Sequence, residues 1–137
     1  MKKLIILAVL AAISSLFISC KTLKEIPEEK TSAQIIQMGQ NYASNSDYKS
    51  AIFCYQTVIE RFGNNPAIYV EAQYELARIY MKQKKYEKAY PIFNEILDMY
   101  DRFGLQIPGT YKKLSKISIE QIPAVKLQEL QSKNEYN

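Results

Sequence analysis

Histidine and tryptophan are both absent from this 137-residue chain. Without an imidazole, the usual general base near neutral pH is missing. Ser-His-Asp and Cys-His catalysis go with it, as does any zinc site built on imidazole. Only two cysteines occur, Cys20 and Cys54, too few for a four-cysteine metal site. A disulfide between them is open on composition alone. The start of the chain, however, gives Cys20 a different use. Glu60, Glu71, Glu75, Glu87 and Glu95 fall at exposed-type positions spread over three predicted helices, with nothing to converge them. No enzyme activity and no cofactor are therefore expected. Excess charge is also lacking. Without Lys2 and Lys3, 16 bases stand against 14 acids. That gives no face dense enough in positive charge to track phosphates, so nucleic acid is not an expected partner.

No apolar run reaches the roughly 20 residues of a membrane span. A shorter one is present. Lys2 and Lys3 precede Leu4 to Phe17, which is apolar except for Ser14 and Ser15. A positive start, a short apolar stretch and a small-residue exit define a secretory signal. Phe17-Ile18-Ser19-Cys20 ends it and resembles a bacterial lipobox. The resemblance implies a signal peptide over residues 1–19, cut before Cys20. It also implies a diacylglyceryl group on the Cys20 thiol, a covalent lipid anchor rather than a cofactor. Two or three acyl chains anchor stably, at about 0.8 kcal/mol per buried methylene. In such proteins an Asp after the Cys favours the inner membrane. Lys21 stands there instead, which implies an outer-membrane protein facing the periplasm. Residues 20–31 are polar, charged and broken by Pro27, and read as a flexible tether.

The rest of the chain repeats itself. Met38-Gly39 matches Leu76-Ala77, and Tyr42, Tyr48, Ala51 and Tyr55 match Tyr80, Tyr86, Ala89 and Phe93, all at an offset of 38. Val58 and Ile59 match Ile96 and Leu97 in the same register. Ile35, Met38 and Tyr42 step along one helix face, as do Ile52, Tyr55, Ile59 and Phe62. The pattern predicts helices at 32–44, 48–62, 67–82 and 86–102. Pro91 would make the fourth helix start late or bend. Gly63 and Gly104 suit a left-handed position just past a helix end. In the tail, Tyr111, Leu114, Ile117 and Ile122 predict a fifth helix, and Val125, Leu127 and Leu130 a short sixth. These read as a cap on two repeats. Cys54 reads as a small buried hydrophobe, and most of the tyrosines as core rings whose hydroxyls reach water. Lys82, Lys84, Lys85 and Lys88 read as a solvated turn, with a contact to acidic lipid heads or a partner as the alternative.

These paired positions resemble the tetratricopeptide repeat, with Met38, Gly39, Tyr42, Ala51, Tyr55 and Val58 in one unit. Leu76, Ala77, Tyr80, Ala89, Phe93 and Ile96 supply the other. The resemblance implies an all-α domain over residues 32–133, built as antiparallel helix pairs: two repeats plus C-terminal capping helices after an N-terminal signal. The usual period is about 34 residues, so both units are lengthened. In such proteins the concave face, lined by first helices, takes the partner. Position by position this implies Ile36, Gln40 and Ser44, then Tyr74, Arg78, Met81 and Lys82. Arg61 to Met81, with Phe62, Pro66, Tyr69, Ala72, Leu76 and Tyr80 as anchors, is similar to BamD-type lipoproteins. The implied function is a lipid-anchored protein–protein interaction module, an accessory subunit in outer-membrane β-barrel assembly. Its partners would be an outer-membrane barrel-assembly protein and, through the lipid, the membrane. The alternative is a pilotin-like or structural cell-envelope repeat lipoprotein.

Overall fold

A computed structural model describes Leu23 and residues 25–135. The expected signal peptide over residues 1–19 and the expected lipid-bearing Cys20 lie outside the described residues. Among the described residues six α-helices follow one another: α1 Ser32–Ser44, α2 Tyr48–Phe62, α3 Pro66–Lys82, α4 Tyr86–Phe103, α5 Thr110–Glu120 and α6 Ala124–Glu135. A 3-10 turn, Gly104–Gln106, joins α4 to α5. Among the described residues there is no strand. The fold is all-α, as the 3.6-residue periodicity requires.

The sequence places the helix starts through local capping. Thr31 and Gln34 form a reciprocal capping box on α1, with N···O distances of 3.0 and 3.3 Å. Asp47 accepts the Ser50 amide at 3.1 Å to open α2. The Asn65 side chain accepts from Ala67 and Ile68, and Pro66 takes the first helical position, where its missing N–H is harmless. Helix α3 therefore begins at Pro66, one residue before the expected start. Pro91 does not delay α4, which begins at Tyr86. Pro91 is exposed, so solvent can reach the Glu87 carbonyl that its missing N–H leaves free.

The two turns inside the helix pairs are copies of each other. Ser46 and Lys84, one period apart, both have positive φ, 61° and 57°. The next amide, Asp47 or Lys85, donates back to the Tyr42 or Tyr80 carbonyl at 2.9 Å. The positive-φ residue's own amide bonds to Ala43 or Met81. This is a Schellman closure. The left-handed role expected of Gly63 and Gly104 is thus taken by Ser46 and Lys84. Neither glycine has positive φ. At Gly63 a Cβ would instead overlap the Ile59 carbonyl oxygen, so a close backbone approach explains the residue.

Packing follows the repeat. Ile35, Ala51, Cys54, Tyr55, Val58, Leu76 and Ile79 form one buried cluster between α1, α2 and α3. Val70, Ala77, Ala89, Phe93, Ile96 and Tyr100 form the next, between α3, α4 and α5. Small residues sit where helices meet. A Cβ on Gly39 would stand 2.6 Å from the Tyr55 ring, and Ala77 is fully buried.

The two ends add detail to the expected pattern. The capping tail keeps the register of the repeats. Leu114-Ser115 follows Met38-Gly39 and Leu76-Ala77 at the same offset of 38, and Ser115 is fully buried. Helices α2, α4 and α6 start at Tyr48, Tyr86 and Ala124, again 38 apart. Helix α5 packs on α4 and α3 as α3 packs on α2 and α1. It is the first helix of a third unit. Helix α6 does not run back along it; Leu127 and Leu130 join a cluster with Tyr86 and Tyr90 of α4, Met81 of α3 and Ile119 near the end of α5.

At the other end, the described part of residues 20–31 is no free tether. It is a strap along α2. The Leu23 amide donates to Ser50 Oγ at 3.0 Å, and Ile26 is 2% exposed within the first cluster. The Arg61 guanidinium donates to the Ile26 and Pro27 carbonyls at 2.8 and 3.0 Å and pairs with Glu28 at 3.0 Å. Leu and Ile at positions 23 and 26 supply apolar surface that a purely polar linker lacks.

Candidate groove along the first helices

Helices α1, α3 and α5 are the first members of successive pairs, and α3 contacts both of the others. A groove runs along them. Between α1 and α3 it holds a pocket of about 170 Å³, lined by Gln40, Ser44, Tyr55, Glu75, Arg78 and Lys82. Between α3 and α5 it widens to about 620 Å³, against Glu71, Tyr74, Glu75, Arg78, Tyr111 and Leu114. A third part, about 290 Å³, adds Met81, Ile117 and Gln121. Arg78 belongs to all three parts.

Six of the seven expected groove residues therefore come together: Gln40, Ser44, Tyr74, Arg78, Met81 and Lys82. Ile36 does not. It is 5% exposed and belongs to the first buried cluster. Helix α1 packs on both α2 and α3, which buries more than a single stripe of it. Tyr74 is 8% exposed, so it presents only an edge to the groove. The repeat pattern did not point to Glu71, Glu75, Tyr55 or Tyr111.

Glu75 organises the centre. It is 9% exposed, not an exposed-type acid as its pattern suggested. Its carboxylate accepts from Gln40 Nε2 at 3.3 Å and from Arg78 Nη1 at 3.0 and 3.1 Å. A buried carboxylate needs such donors to offset lost hydration. Arg78 also lies 5.9 Å over the Tyr74 ring, which packs on Phe93 and Tyr111 with centroids 6.0 and 5.4 Å away. Arg78 is thereby fixed on two sides, while its side chain stays 44% exposed to the groove.

The hydroxyls here remain protonated donors. Burial raises the Tyr55 and Tyr111 phenols above their ordinary range, with help from the Glu75 charge at Tyr55 and the Glu71 charge at Tyr111. Tyr55 Oη is buried and has no hydrogen-bond partner. Other hydroxyls do not simply reach water as expected. Tyr69 donates to Glu95 at 2.6 Å, and Tyr100 donates to the Pro108 carbonyl at 2.5 Å. Cys54 lies fully buried behind the groove, and burial pushes its thiol up to about 11. It is a packing residue rather than a nucleophile. The groove thus offers an apolar and aromatic wall and fixed charges, which suits recognition.

The comparisons agree with this architecture. The tetratricopeptide repeat model matches residues 70–102, which span most of α3 and α4. An uncharacterized protein of Treponema pallidum (strain Nichols) is 34% identical over 100 residues. That alignment covers 72% of this chain and 40% of the relative, so the chain spans about two-fifths of the relative's length. No solved structure matches the chain. The chain is an all-α protein carrying a tetratricopeptide repeat, a unit of protein–protein interaction.

Proposed function

We propose that this chain is a lipid-anchored interaction module of the outer membrane, facing the periplasm, that serves as an accessory subunit in outer-membrane β-barrel assembly. The anchor is the lipidated thiol of Cys20. The α1–α3–α5 groove is the partner surface. One observation carries the groove reading: Glu75, Gln40, Arg78 and Tyr74 hold one another rigid while Arg78 stays open to the groove. Prearranged aromatic and Arg groups are typical anchors of protein interfaces. The lipobox-like Phe17-Ile18-Ser19-Cys20 supports the anchor, and the similarity of Arg61 to Met81 to BamD-type lipoproteins supports the assembly role.

Affinity capture from detergent-solubilised membranes tests this reading. The wild-type chain should retain the barrel-assembly protein, and Arg78→Glu should lose at least tenfold of it. Recovery of a secretin instead would move the function to a pilotin-like escort. Capture unaffected by Arg78→Glu would remove the groove from the interface. Cys20→Ala should leave the membrane fraction; retention there would overturn the anchor.

A further inference from the structure

The helix pairs give the molecule two distinct ends. One bears the turns at 45–47 and 83–85, and the other bears the loops at 63–65 and 104–109. The turn end carries Lys49, Lys82, Lys84, Lys85 and Lys88, all exposed, against Asp47 and Glu87. The Asp47 carboxylate is engaged with the Ser50 amide. Flanking the third turn, Lys126 is paired with Glu129, and Glu120 adds one acid. At the loop end, six acids, Glu28, Glu29, Glu60, Glu95, Asp98 and Asp101, stand against five bases, Lys30, Arg61, Arg102, Lys112 and Lys113. The described residues balance, 14 bases against 14 acids, so the lysines of the turn end form a local positive patch on a neutral body.

The strap brings the start of the chain to that same end. Leu23 bonds to Ser50 in the first turn of α2, whereas Ile26 and Pro27 bond to Arg61 in its last turn. The chain therefore enters at the turn end, runs down α2 and turns back at Thr31 into α1. Cys20 stands only three residues before Leu23, within about 10 Å of it along the backbone.

We propose that the turn end, through Lys49, Lys84, Lys85 and Lys88, docks on an anionic phospholipid surface and stands the helix pairs upright with the loop end pointing away. The proposal rests on the anchor reading for where the membrane lies. The attraction itself rests on the lysines, because a basic cluster beside an anionic leaflet is drawn in by its surface potential, and salt screens that attraction. Lys82 also lines the groove, so the membrane would sit at one mouth of the groove and leave its length open.

The absence of Trp makes a clean test possible. Asn45→Trp places a reporter at the turn end, and Asn64→Trp places one at the loop end. The full acylated chain is reconstituted into phosphatidylglycerol vesicles containing brominated lipid, and fluorescence quenching is read. Asn45→Trp should be quenched at least threefold more than Asn64→Trp. That ratio should fall toward one in phosphatidylcholine vesicles, in 0.5 M salt, and when Lys49, Lys84, Lys85 and Lys88 are changed to Glu. Equal quenching at both reporters overturns the proposal. So does an unequal ratio that survives salt and charge reversal, which would reflect the tether or a different, uncharged contact. Mass spectrometry of Cys20 reads the anchor separately. With no lipid found, the same reporters on unacylated protein at low salt still decide whether the turn end seeks anionic lipid.

Discussion

Gly39 and Tyr55 show what a single residue does in this architecture. A Cβ on Gly39 would meet three Tyr55 ring carbons at 2.6 to 3.1 Å, and the fully buried ring cannot withdraw. Gly39→Ala should therefore destabilise the protein by about 1–3 kcal/mol. Gly104 makes the opposite case, since nothing lies within 4 Å of its added Cβ and its φ is negative. Gly104→Ala should stabilise by about 0.4–1 kcal/mol by narrowing the unfolded ensemble. Urea unfolding of both variants checks the contrast. Cys54 adds a pH dependence. Burial, and then the Asp47 charge, raises its thiol from 9.0 to about 11. The folded state holds this proton more tightly than the unfolded state. The contribution is thus full below pH 9 and is lost as pH rises through about 11. Wild-type stability should fall faster than that of Cys54→Ala between those values, measured by urea unfolding at each pH. At this scale the sequence was legible where spacing alone decides, as for Cys54 and the small Gly39. It was not legible for Ile36 and Glu75. Their burial depends on which neighbours flank a helix, and a periodicity cannot supply that.

The elements divide at their turns. In the first two units the residue after the helix cap is Ser46 or Lys84, which accepts positive φ, and the next residue supplies an amide to the carbonyl five back. The third unit places Ile122 and Pro123 at these positions. A β-branched residue resists positive φ, and proline has no amide to give. The closure cannot form, which explains why α6 leaves α5 and packs on α4. Replacing Ile122 with Gly and Pro123 with Asp should let α6 fold back. A shortened distance between spin labels on Lys116 and Gln128 would show it, and an unchanged distance would refute the account. Helix boundaries were readable to within a residue because caps and proline act locally. The third unit was hidden because its first helix keeps only the Leu114-Ser115 signature, on a short helix with a different exit. The glycines after α2 and α4 misled for a related reason. Glycine permits a left-handed turn but does not require one, and Gly63 answers to the Ile59 carbonyl instead.

For the molecule as a whole, the groove and the basic end are separable surfaces. Lys49, Lys84, Lys85 and Lys88 line none of the three groove pockets, so reversing their charge should alter orientation without altering partner capture. The repeat unit made the groove foreseeable, because one offset fixes which helices come first in each pair. The strap was not foreseeable. Residues 25–31 look polar, and only Leu23 and Ile26 reveal a segment able to pack. Its course along α2 also sets how the protein answers to mechanical load. A pull on the start of the chain acts along the strap's length rather than across it. The Leu23–Ser50 bond, the buried Ile26 side chain and the Arg61 contacts then share the force in shear instead of opening one at a time, and the first helix pair unravels only after all of them yield together.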